Sequence, residues 1–396
     1  MVCWAAGTHH GAMPKHPWAQ IVRTAAVLGA AMGIGRFAYT PILPLMTAHA
    51  QLSPQAAGQL ATANYVGYLL GALAGTFSPR LARSVSACRG SLLVLVASLV
   101  AMALTTNVIA WAALRTVAGF ASALVFVIAV NTLLDRLHDH PAHLAGWAFG
   151  GVGAGIAASA VLVFALPAWA DWRAAWWAAA VLAALLSVAA WYLPAGPATP
   201  AVAKAPEQQH PKRHKPFALL LVSYTLEGVG YIIAGTFLVA AVAQHSPGRL
   251  GNGAWLLVGL AVIPSAVLWA RLSSRYSHPV LLTAALMLQA AGIALACTGS
   301  GGGALIGAIL FGGTFIGVSV LALAAGRLLQ FPGAVALLTV GYSVGQIVGP
   351  VAVSPLLHSG FQLALVAGSV IVVLSALTAT AMGIVGRQPH TVAVNA

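Results

Sequence analysis

The sequence predicts an all-α membrane protein whose helices cross the bilayer twelve times. Three observations carry this: the composition, the length of the apolar runs, and a polar break at mid-chain. Of the 396 residues, 60% are hydrophobic and only 6% charged, whereas a water-soluble domain carries roughly a quarter charged residues. Mean hydropathy is +0.92. The apolar runs are continuous and about 20 residues long, the length of a bilayer-spanning helix. A membrane β-barrel would show alternating segments of about ten residues instead.

Residues 1–19 read as a cytoplasmic tail. Its opening, MVCWAAGTHHGA, precedes a second methionine, Met13, and carries no function. Apolar runs between charged or Pro/Gly-rich breaks then place spans at 20–46, 56–78, 90–107, 109–133, 143–166 and 173–193. Together they make an N-terminal six-helix bundle, 20–193. The stretch 194–216, PAGPATPAVAKAPEQQHPKRHKP, is rich in Pro and Ala and basic at its end. That composition suits an extended cytoplasmic linker. Spans at 217–243, 253–270, 280–298, 303–326, 336–357 and 362–384 make a C-terminal bundle, 217–384. A cytoplasmic tail, 385–396, follows.

Lys and Arg placement orients the chain. With the N-terminus inside, fourteen of the eighteen basic residues fall on the cytoplasmic side and only Arg173 and Arg249 outside. Both termini are then cytoplasmic, in a bacterial inner membrane. The other two, Arg36 and Arg115, fall inside spans. The net charge of +13 therefore serves orientation and not nucleic-acid binding. Cys3, Cys88 and Cys297 lie far apart, with no CxxC spacing, so neither a disulfide framework nor a zinc site is expected. The first run is too long for a cleavable signal peptide and no small-residue cleavage pattern follows it.

The halves echo each other. MGIGRF (Met32 to Phe37) in span 1 matches EGVGYI (Glu227 to Ile232) in span 7, and GWAFGGVGAG (Gly146 to Gly155) in span 5 matches GYSVGQIVGP (Gly341 to Pro350) in span 11. Such duplicated halves are an architecture of secondary transporters.

Three motifs then bear a resemblance. GTFSPRLAR, Gly75 to Arg83, is similar to the loop motif Gly-x-x-x-Asp-Arg-x-Gly-Arg. Gly75, Arg80 and Arg83 match; Pro79 stands for the aspartate and Ala82 for the second glycine. RTVAGFASA, Arg115 to Ala123, is similar to the span 4 motif Arg-x-x-x-Gly-x-x-x-Ala, and the span 5 glycines look like a hinge motif. The chain thus resembles the major facilitator superfamily over essentially its whole length. GIGRFAYTPILPLM, ANYVGYLLGALAG and YTLEGVGYIIAGTFL resemble its YbfB/YjiJ-type branch. The resemblance implies two pseudo-symmetric six-helix bundles and transport. It also implies a gating loop at Gly75, Arg80 and Arg83. From their placement alone, Arg80, Arg83, Asp135 and Asp139 flank spans 2 and 4 and read as an inner latch, or as ordinary topology signals and solvated loop acids. Arg115 would occupy a position tied to proton coupling in many exporters of the superfamily.

Ionisable groups inside a span normally face a cavity or a partner. Arg36 shares a helical face with Gly29 and Gly33 on a 3.6-residue period. It reads as a substrate or coupling residue, or as a cap for carbonyls freed by Pro41 and Pro44. Glu227, flanked by Tyr224 and Tyr231, reads as a proton site, or as half of a salt bridge to Arg36. Arg115 reads as a coupling residue or as an arginine snorkelling to the outer interface. Asn64 and Tyr68 lie near the glycines 67, 71 and 75 of span 2, which read as a close-packing face. These two, Tyr39 and Gln346 complete the candidate site; cross-helix bonding is the competing reading for Asn64, Tyr68, Gln346 and Asn131. HDHPAH, residues 138–143, reads as a loop rather than a metal site. Trp169, Trp172, Trp176 and Trp177 read as an interfacial belt.

No Walker A, HExxH or GxSxG pattern is present. The expected function is a secondary active transporter of a small organic solute. It is expected to need no cofactor and to act as a monomer in the lipid bilayer. Two intramembrane arginines against one glutamate point to an anion, and protons are the expected driving ion. The alternative is proton-driven efflux of hydrophobic or cationic compounds.

Overall fold

The computed structural model describes residues 17–137, 140, 143–166, 170–193, 214–245 and 250–385. The described residues are helical almost throughout, with no strand. The first six long helices are α1 Pro17–His49, α2 Pro54–Phe77, α3 Val85–Leu104, α4 Val108–Arg136, α5 His143–Ala165 and α6 Trp172–Ser187, which continues as a 3-10 turn to Tyr192. The second six are α7 His214–His245, α8 Leu250–Leu272, α9 His278–Ala296, α10 Gly301–Leu328, α11 Ala334–Val353 and α12 Phe361–Val385. Eleven are long and apolar enough to cross a membrane. The remaining one, α2, spans 24 residues but carries Gln55, Gln59, Asn64, Tyr65 and Tyr68, and it packs between α4 and α11.

Short polar caps start the helices. Ser53, Ser84, Asn107, Asp171 and Ser300 each accept backbone N–H groups at the start of α2, α3, α4, α6 and α10. On the face where the described chain starts, Arg23 donates to Tyr192 O at 3.1 Å and Arg89 to Trp191 O at 2.8 Å. These two arginines satisfy carbonyls at the end of α6.

Glycine sets the closest approaches. A Cβ at Gly67 would run into the carbonyl of Thr116 on α4, and one at Gly119 into the carbonyl of Asn64 on α2. In the same way a Cβ at Gly151 of α5 would meet the backbone of Ala25. The span 2 glycines therefore are a packing face, with backbones too close for any larger residue at Gly67 and Gly71 and a tight side-chain contact at Gly75.

The first span departs from the single helix expected at 20–46. A regular segment, Pro17–Leu28, gives way to a π-helical turn, Gly29–Ile34, and then to irregular turns before a second segment, Tyr39–His49. The Thr40 N–H donates to the Phe37 carbonyl at 3.2 Å, and Pro41 has no N–H to offer. The backbone carbonyls of Gly35 and Arg36 are thereby released from the helix ladder. The wide turn also changes the register. Gly29 and Gly33 pack against Gly151 and Gly155 of α5, whereas Arg36 points to α2 and α11. The shared face expected for these three residues holds only for an unbroken α-helix.

The two six-helix bundles meet along α5 and α8, and again where the second segment of α1 and the first half of α2 touch α7 and α11. Residues 27–43 of α1 and 227–242 of α7 are buried on every side. The stretches that precede them, 17–26 of α1 and 214–226 of α7, are buried on one face only, so the fully buried stretches lie distal to the face where the described chain starts. Cross-seam bonds cluster on that same distal side: Thr40 Oγ1 to Gly235 O, Tyr65 OH with Thr236 Oγ1 at 2.9 Å, and Gln55 with His358. The distal side is the closed one.

Candidate functional site

Arg36 sits in the irregular turn of α1, 3% exposed, at the seam between the bundles. Its Nη2 donates to Gln346 Oε1 of α11 at 2.7 Å. Its guanidinium carbon lies 4.2 Å from the ring centre of Tyr68, 5.0 Å from Tyr65 and 5.3 Å from Phe37. These faces attract a cation. Nε has no hydrogen-bond partner, and no carboxylate pairs with the side chain among the described residues.

The contacts run on into the C-terminal half. Gln346 Nε2 donates to Tyr231 OH at 2.8 Å. Tyr231 stacks on Tyr342 at 5.4 Å, and Tyr342 on Tyr224 at 4.4 Å. Phe315 stands edge-on to both Tyr231 and Phe37, with Trp255 beyond Phe37. Helices from both bundles thus surround one guanidinium and one amide with aromatic rings. Arg36, Tyr68, Tyr231, Tyr224 and Gln346 come together here.

Arg115 goes elsewhere. It is 2% exposed, so it does not snorkel. Nη1 donates to Gly35 O at 3.2 Å and Nη2 to Arg36 O at 3.0 Å. It therefore caps the two carbonyls that the break in α1 releases, and its guanidinium lies 5.0 Å from the ring of Tyr39. Tyr39 OH in turn donates to Ala57 O at 2.9 Å. Asn64 Nδ2 donates to Arg115 O at 2.9 Å, a bond between α2 and α4. The capping role weighed for Arg36 thus falls to Arg115.

Glu227 is fully buried. Its neighbours one turn away are Ser223, which bonds to Ser375 of α12, and Gly230, whose backbone lies against Gly368 and Val372 of the same helix. The carboxyl is directed to Gln289 of α9, also fully buried. The two face each other short of hydrogen-bond geometry, so both carboxyl oxygens and both amide atoms are without partners. The salt bridge to Arg36 is not formed: Arg36 is bound to Gln346 instead.

Near the chain-end face, Gly75 packs on Val127 of α4, and Pro79 opens a short helical turn, Pro79–Ala82. Proline suits that first helical position. Arg80 and Arg83 are exposed, and Asp135 is half-buried at the end of α4. Asn131 Nδ2 reaches Ala82 O at 3.5 Å. Asp139, His138 and residues 141–142 of the histidine loop, Trp169, and most of the linker lie outside the described residues. Among the described residues no three His, Cys, Asp or Glu side chains gather. The tryptophan belt needs correction. Of its described members, Trp172 and Trp176 are buried inside the bundle and Trp177 is exposed; Trp172 packs edge-on against Trp111 of α4.

Phe37, Tyr65, Gln289, Phe315 and Tyr342 carry neither a charge nor a motif that marks them in the sequence. Their one signal was aromatic or amide residues at mid-span rather than at span ends, and Tyr342 lies four residues before Gln346 on one helical face.

The family described as "uncharacterised MFS-type transporter YbfB" matches residues 28–380. No curated protein matches the chain in sequence. Among solved structures, the nucleoside transporter NupG is similar in fold. A point mutant of NupG superposes with a TM-score of 0.70 at 14% identity, over 91% of this chain and 99% of that one. A second NupG structure gives 0.69 at 12% identity, over 95% and 100%. These likenesses extend to the fold, and the family match makes the protein a multi-pass transporter rather than an enzyme. The chain belongs to the YbfB-type family of major facilitator superfamily transporters.

Proposed function

We propose that the protein is a secondary active transporter of a small organic anion, most simply a carboxylate, bound at Arg36 between the two bundles. One observation carries the reading: a buried guanidinium at the seam, ringed by aromatic faces, with no carboxylate among the described residues to balance it. An unpaired buried charge is costly, and cation–π contacts offset only about 0.5–2 kcal/mol each. An incoming anion supplies the missing partner. The aromatic walls favour a solute with a planar or apolar body. Export of a cation would need an acid at the seam, and the charged side chain there is Arg36.

Protons are the proposed driving ion, with Glu227 as their site. Its carboxyl is enclosed with no counter-ion among the described residues, and a proton is the smallest charge that neutralises it. With both termini cytoplasmic in a bacterial inner membrane, the closed distal side is the outer one. Rocking of the bundles would then expose Arg36 to each side in turn. The site is completed within one chain, which suits a monomer.

Reconstitution in liposomes tests the reading. Uptake is measured under an imposed pH gradient for monocarboxylates, dicarboxylates, nucleosides and cationic dyes. Carboxylate uptake is expected, lost in Arg36→Ala and largely lost in Arg36→Lys, which lacks the planar fork. Unchanged uptake in Arg36→Ala, with the protein folded, overturns the assignment.

A further inference from the structure

We infer that Gln346 is a stand-in for the carried anion: its amide oxygen holds the seat on Arg36 that a substrate carboxylate takes, and substrate binding exchanges one for the other. This rests on the anion reading above. Arg36 comes from the N-terminal bundle and Gln346 from the C-terminal one, so the bond at 2.7 Å crosses the seam. It ties the two bundles together at the depth of the site.

The guanidinium offers a side-on fork, Nε and Nη2, that matches the two oxygens of a carboxylate. The Gln346 amide has a single oxygen. It fills Nη2 and leaves Nε buried with no partner. A carboxylate in the same seat satisfies both donors and brings the charge that the amide lacks. The displaced amide stays held, because its Nε2 still donates to Tyr231 OH, while its oxygen is freed. Exchange therefore improves the pairing of Arg36 and cuts a tie across the seam. Gln346 is on this account a specificity residue: it sets the affinity threshold that an anion must exceed, and it couples binding to release of the bundles. A neutral amide of the same shape as the substrate gains nothing over Gln346 and is rejected.

The test uses the purified full chain in detergent. Binding of acetate, benzoate, phenylacetate and succinate, each against its amide, is followed by calorimetry and thermal shift. The variants are Gln346→Met, which keeps bulk and removes the oxygen, Gln346→Glu, which fills the seat with a carboxylate, and Arg36→Ala. A carboxylate should bind the unmodified protein, and its amide should not. Gln346→Met should bind it about tenfold more tightly, the weight of one hydrogen bond to a charged group, while turnover in liposomes falls. Gln346→Glu should bind it at least about tenfold more weakly on the same scale, and this arm stands alone if Gln346→Met fails to fold. Weaker binding in Gln346→Met, or unchanged binding in Gln346→Glu, overturns the stand-in while leaving the anion reading intact. Absence of carboxylate binding to the unmodified protein, or undiminished binding to Arg36→Ala, overturns both.

Discussion

Arg115→Met removes the clamp on the broken first helix while keeping most of the side-chain bulk. Two carbonyls, Gly35 O and Arg36 O, then lose donors at 3.2 and 3.0 Å. Each orphaned buried carbonyl costs about 1–3 kcal/mol, and the lost contact to Tyr39 adds about 0.5–2 kcal/mol. Removing a buried charge recovers part of this, since that charge is itself costly to desolvate. The net expectation is a loss of about 2–4 kcal/mol. Denaturant-induced unfolding in mixed micelles measures it. Arg115→Lys should recover a part, because an ammonium reaches one carbonyl but lacks the fork. Transport should fall together with stability, since the turn that carries Arg36 loses its anchor. Residual uptake in Arg115→Lys should keep its dependence on the pH gradient. Unaltered stability in Arg115→Met, combined with uptake that no longer follows the pH gradient, would refute the clamp and make Arg115 a coupling residue.

Two further outcomes follow from the packing. Gly67→Ala places a methyl against the Thr116 backbone, which cannot rotate aside, so a loss of at least about 1–3 kcal/mol is expected. Gly253→Ala, where nothing lies within 4 Å, should change stability by less than about 0.5 kcal/mol; equal effects in the two would disprove the close-approach argument. Glu227→Gln keeps the shape of the buried group but cannot release a proton. Accumulation driven by a pH gradient should vanish while exchange of solute down its own gradient persists; persistent proton-driven accumulation would move the coupling site elsewhere.

Much of the fold was readable from the chain. Membrane spans announce themselves because lipid demands about 20 apolar residues in a row, and the Pro/Ala-rich stretch 194–216 has no such run. The packing role of the glycines at 67, 71 and 75 was also readable, because their four-residue spacing puts them on one helix face. The seam was not. Arg36, Glu227 and Arg115 stood out as charges in apolar runs, but spacing along a chain says nothing of contacts between spans. Arg36 and Gln346 are 310 residues apart.

By itself, then, the sequence determined that the protein crosses a membrane in two related halves, and which few ionisable groups lie inside it. Those properties follow from composition and local period, which the bilayer reads directly. Only the tertiary structure decided the partners. The π-helical turn rotates Arg36 off the glycine face and toward Gln346. The carbonyls it frees recruit Arg115. The packing of α7 on α12 directs Glu227 to Gln289 instead of the seam. Each outcome depends on helix rotation and on contacts between distant spans, and neither is encoded in any local stretch.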